Sequence, residues 1–148
     1  IDNKKQRALD KYDEKIKNEF FDVAIELINE AEKRVEDNPR SALQDLAEAM
    51  ENLSKGYCLR HELKFENGKL GLGLHDIAVR HWLDKNKGKG IFLKYQTGIR
   101  HIIQRCNLKK HNNINPSIIE IYYFISLAWE GFEEMIEIAT MSIPIKNN

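Results

Sequence analysis

Apolar residues recur every three or four positions along almost the whole chain, and no stretch sustains the two-residue alternation of a half-buried strand. That periodicity confines the fold to helices packed on apolar stripes. Leu9, Tyr12, Ile16, Phe20, Val23, Leu27, Ala31 and Val35 keep this spacing over about seven turns, which predicts one long N-terminal helix within residues 1–38. Its first half is crowded with charge (Asp10, Lys11, Asp13, Glu14, Lys15, Lys17), so that half is expected to project from the body or continue an upstream domain. Asn38-Pro39 ends the segment, because the residue before a proline is pushed out of the α region.

A helical core is expected over 39–140, with a tail at 141–148. Leu43, Leu46, Met50, Leu53 and Tyr57 form the buried stripe of a second helix that fades near Asn67-Gly68, where Gly71 and Gly73 also disfavour helix. A shorter helix from about Leu74 to Lys85 carries Ile77, Ala78 and Trp82 inward, and the Lys-Gly run at 85–90 is a loop. The next helix, from about Ile91 to Asn107, lines up Phe92, Tyr95, Ile99, Ile102, Ile103 and Cys106. Asn112 to Asn115 break it, and Pro116 suits the first turn of a last helix over about 116–140. That helix is apolar nearly all round in its first half, which makes it central in the bundle or shared with a partner chain. The expected fold is all-α, an up-down bundle of four to five helices, and 148 residues suit one domain.

Charge narrows the function. The 23 basic and 23 acidic residues cancel, so any nucleic-acid contact is local and not a general coating of the backbone. Cys58 and Cys106 match no metal-ligand spacing and read as buried thiols of a reducing, cytoplasmic compartment. No apolar run approaches the ~20 residues of a membrane span, and no basic-then-apolar signal segment is present. The chain opens on Ile1, which reads as a fragment or the C-terminal domain of a longer protein.

The chemistry-bearing residues concentrate in GIRHIIQRCNLKKHN, residues 98–112. On a helix whose stripe is centred on Ile99, His101 and Arg105 fall four residues apart on the opposite face, flanked by Arg100, Gln104 and Asn107. Lys109, Lys110 and His111 follow in the expected loop. Metal-free RNA cleavage needs such a set. Histidine exchanges protons near neutral pH, arginine presents a fixed fork to phosphorane oxygens, and lysines hold the backbone. The alternative is a solvated helix face with a basic last turn, since cations favour helix C-termini. A zinc site from His101, His111 and Cys106 is less attractive, because Cys106 sits on the apolar stripe and no fourth ligand is spaced to join. His61-Glu62 lacks the second histidine of a metalloprotease helix, and Trp82 and Trp129 lie on apolar stripes as core residues do.

Two stretches carry a family resemblance. NPRSALQDLAEAMENLSKGYCLRHEL has a proline-led start, an alanine-leucine stripe and Glu51 four residues before Lys55; the second stretch is GIRHIIQRCNLKKHN, followed by a long apolar helix. From Pro39 to about Glu137 the chain resembles the HEPN superfamily, in particular its abortive-infection C-terminal branch. The family signature is Arg, four to six residues, then His. Arg105 and His111 satisfy it, while a second alignment sets Arg100-His101 at its Arg-polar pair. The resemblance implies a HEPN-like bundle that dimerises through the helices bearing the motif. It also implies a metal-independent endoribonuclease of prokaryotic defence or toxin–antitoxin systems, needing no cofactor. On that expectation His111 is the general acid or base, Arg105 and Arg100 polarise phosphate, and His101 orients the substrate or shares proton transfer. Lys109, Lys110, Gln104 and Asn107 bind RNA, and an antitoxin or fused upstream domain is a further partner. Inactive relatives, by the same resemblance, are dimerisation modules or bind nucleotides or partner proteins.

Overall fold

Six helices and no strand make up the described residues, which in this computed structural model are 2–65, 72–85 and 93–141. They are α1 (Asp2–Lys11), α2 (Glu19–Arg34), α3 (Pro39–Arg60), α4 (Leu72–Lys85), α5 (Leu93–Asn112) and α6 (Ile118–Met141). The chain is therefore all-α, with more helices than the four or five expected. Asn67-Gly68, the lysine-glycine run after Lys85, Phe92 and residues 142–148 lie outside the described residues.

The extra helix arises where one long N-terminal helix was expected. The chain turns at Tyr12–Asn18, and Asn18 restarts it as an N-cap whose side chain accepts from Phe21 N at 3.0 Å. Asn18 also donates to Gly56 O on α3, and Tyr12 donates to Asp22, so the turn is fixed from both sides. Ile16 is buried within it, which is why the apolar spacing runs through the break unchanged. The turn nevertheless shifts the register: Phe21, Ala24, Ile28, Ala31 and Val35 are buried, whereas Val23 of the expected stripe is 38% exposed.

The charged first helix does not project. It lies along α6 in the same direction, with Ala8 buried beneath it. Lys4 reaches Ser126 and Glu130, Arg7 reaches Glu133, and Lys11 bonds both Glu133 and Glu137 at 2.7 Å. Basic and acidic faces thus meet across one helix pair.

The second expected helix is as its stripe dictates, with Leu43, Leu46, Met50, Leu53 and Tyr57 fully buried. Asn38 caps it, Pro39 occupies the first turn, and it ends at Arg60 rather than near Asn67. Gly56 lets α2 come close: a Cβ there would penetrate the Phe21 ring. α4 packs on α3 and α5 through Ala78 and Trp82. α5 and α6 form an antiparallel pair, close enough at Gly98 that a Cβ would stand 3.2 Å from Leu127 O. Glu134 of α6 accepts from Tyr95 N at 2.9 Å, capping the start of α5 from a neighbouring helix.

α6 is the axis of the bundle over its second half. Trp129, Phe132, Met135, Ile136 and Ala139 are fully buried, and Trp129 donates to Glu32 of α2 at 3.0 Å. Its first half is different. Ile118, Ile119, Tyr122 and Tyr123 are 40, 82, 39 and 53% exposed, and Ile114 just before it is 51% exposed.

Candidate functional site on α5 and the turn to α6

α5 extends to Asn112, five residues past the expected end. Lys109, Lys110 and His111 are therefore helical positions and not loop residues; their side chains lie outside what the structure describes. The break falls at 113–117, opened by Asn113 in the left-handed region (φ 54°). Ser117, not Pro116, starts the last helix. Glu120 N donates to the Ser117 hydroxyl at 3.1 Å while Ser117 N donates to Glu120 at 3.0 Å, a reciprocal capping box.

Arg105 is built into this turn. Its Nε donates to Glu120 Oε2 at 2.8 Å and Nη2 to Oε1 at 3.3 Å. Nη1 donates to Ile114 O at 3.2 Å and Nη2 to Asn115 O at 3.0 Å. Its side chain is only 12% exposed. The guanidinium beside it, aided by Ser117, holds the Glu120 carboxyl below the usual carboxylate range against the opposing effect of burial. Four hydrogen bonds and a paired charge occupy the fork that phosphate recognition would need.

The other expected site residues stand apart from Arg105. Arg100, His101, Gln104 and Asn107 are exposed on the outer face of α5, and Leu108 beside them is 47% exposed. Arg105 and position 111 are six residues apart on one helix, about 9 Å along its axis and roughly 120° around it. The spacing of four, three and four aligns position 111 with the stripe of Arg100, Gln104 and Asn107. Arg100 and position 111 therefore share a face of α5, and Arg105 and position 111 do not. Ile99, Ile102, Ile103 and Cys106 are buried, as the stripe predicts.

Among the described residues no three His, Cys, Asp or Glu side chains cluster as metal ligands. A cavity of about 400 Å³ opens at the start of α3, lined by Asn38, Arg40, Ser41 and Gln44, none of which was expected in the site. No helix among the described residues is long and apolar enough to cross a membrane.

Two features escaped the sequence reading. Ser117-x-x-Glu120 was legible as a capping box, but the proline before it drew the helix start one residue early. The contact of His61 with His81 joins residues of different helices, and no local spacing announces it. Comparison of the chain with family models, with curated proteins and with solved structures returned no match.

Proposed function

We propose that this chain is a non-catalytic helical dimerisation module of the HEPN-like kind, in which the first half of α6 meets its counterpart in a second copy. The observation that carries this reading is Arg105: its fork is tied into the α5–α6 turn by Glu120 and two carbonyls. An arginine so held is suited to stabilising a turn, because its donors are already engaged by Glu120 and the two carbonyls. The partner surface is the uncovered strip of Ile114, Ile118, Ile119, Tyr122 and Tyr123, on the order of 500 Å² of largely apolar surface. A standard interface buries about 800 Å² per partner, so the strip supplies most of one side, and the exposed face of α5 supplies a polar rim. An apolar strip is complementary to itself, as a two-fold contact requires. In an abortive-infection setting such a module would bring the effector parts of two chains together.

RNA cleavage is the second reading, supported by the exposed stripe of Arg100, His101, Gln104 and Asn107. Solution mass together with RNA degradation separates the two. The expected result is a dimer at high micromolar concentration, converted to a monomer of unchanged helical content by Ile119→Glu with Tyr123→Glu, and no RNA cleavage. A wild-type monomer sinks the dimer. Cleavage that survives EDTA and disappears in His111→Ala installs the nuclease in its place.

A further inference from the structure

Three rings meet where α3 packs on α4. The Tyr57 ring centre lies 4.4 Å from that of His61 and 5.6 Å from that of His81, and the two imidazoles are 4.8 Å apart. The Tyr57 hydroxyl and His81 Nδ1 share a 2.8 Å hydrogen bond. Tyr57 is fully buried and His61 is 5% exposed, while Nε2 of His81 is buried with no hydrogen-bond partner among the described residues. His61 belongs to α3, as its C-cap, and its N–H is bonded back to Tyr57 O. His81 belongs to α4. The seam between the two helices is therefore closed by a pair of imidazoles in contact.

Such a pair resists protonation: the first proton charges a ring at a seam where His61 is buried and His81 half-buried, and a second would set two imidazolium ions in contact. The surrounding charges add to this. Arg60 on α3 and Lys85 on α4 carry the same sign as a protonated ring, and the opposing Asp84, Asp76 and Glu62 are exposed to solvent. Among the described residues, α5 brings Tyr95 near Tyr57, fully buried and hydrogen-bonded to Ser54, and α3 brings the buried Cys58 thiol, both uncharged.

We propose that His61 and His81 form an acid-sensitive latch, holding α4 on the bundle while neutral and releasing it when protonated, with the other helices still folded. Burial, then the nearby His81 and Arg60, push the His61 ring down from 6.5 to about 4. Burial, then Lys85, push His81 below its ordinary value as well. The sign follows directly. Above pH 6.5 both docked and released rings are neutral and the latch has no pH dependence. As pH falls below 6.5 the released rings bind protons that the docked rings refuse, and α4 is lost progressively until the docked His61 itself protonates near pH 4. α4 is suited to leave alone, because among its described side chains the core contacts come from Ala78, Val79 and Trp82, within about one turn.

Amide hydrogen exchange of the full chain between pH 7.5 and 5, corrected for the intrinsic pH effect on exchange, tests this. Protection of 72–85 is expected to fall at pH 5 by about 30-fold from His61 alone, and further with His81, while that of 118–141 is unchanged. The double variant His61→Phe/His81→Gln, which cannot take up a proton at the seam, is expected to abolish the pH dependence. Should it fold poorly at pH 7.5, His81→Gln alone is expected to reduce the dependence. Parallel loss in α4 and α6, an α4 indifferent to pH, or variants that respond as the wild type does would each overturn the latch.

Discussion

Arg105 holds the α5–α6 turn through four hydrogen bonds, to the Glu120 carboxylate and to the carbonyls of Ile114 and Asn115. Arg105→Ala therefore tests a structural role directly. It leaves Glu120 without its cation and frees the carbonyls of Ile114 and Asn115, which water can satisfy because both residues are exposed. The expected cost is about 1–2 kcal/mol, discounted because Glu120 is 39% exposed. In a thermal melt that is a drop of roughly 3–6 °C for a chain of this size. An unchanged melting temperature would mean the turn does not depend on this residue. The spacing of the sequence puts Arg105 on α5 one turn beyond His101, where the structure has it. Its partner could not be read, because Glu120 lies across a turn whose geometry no periodicity encodes.

Among the elements, α1 shows what charge patterning can and cannot say. A dense run of charges was legible, but whether it faced water or another helix depended on acids more than a hundred residues away in the chain. Burial pushes the Glu133 carboxyl up, but its bond to Lys11 and the charges of Lys11 and Arg7 outweigh that and leave it lower than usual. Lys11 is raised by the same contacts with Glu133 and Glu137. Glu133 thus contributes stability that is present above its ordinary value of 4.5 and lost as pH falls through its lowered one; Lys11 contributes stability present below 10.5 and lost as pH rises through its raised one. Docking of α1 should therefore hold from pH 6.5 down to about 4.5, over most of the interval in which the α3–α4 seam weakens. Glu133→Gln is expected to loosen α1, raising amide exchange over residues 2–11 about 5- to 30-fold at neutral pH, equivalent to roughly 1–2 kcal/mol. Exchange equal to wild type would assign α1 docking to Ala8 and Leu9 instead. The break before α2 was hidden for a different reason. Tyr12 and Ile16 pack inward from a turn, so they preserve a helical spacing where the backbone is not helical.

For the whole molecule, the apolar stripes fixed the all-helical class and most of the core, since spacing at 3.6 residues is a property of each segment alone. What they could not fix was how helices share one another's faces. The last helix was expected to be either central or shared with another chain, and each alternative describes one half of it. Its second half is enclosed by α1, α2, α3 and α5, and its first half carries the uncovered isoleucines and tyrosines. The basic face of α5 remains a stripe on the surface.

The two tryptophans occupy opposite ends of this stability range. Trp129 is sealed in the central helix and tethered to Glu32, whereas Trp82 is carried by α4 beside the histidine seam. The chain thus contains its own pair of optical reporters, one for the scaffold and one for its most detachable part. Acidification should redden the emission in two separate stages, with Trp82 reporting first and Trp129 only when the bundle itself opens. A single concerted shift would mean that both indoles belong to one cooperative unit.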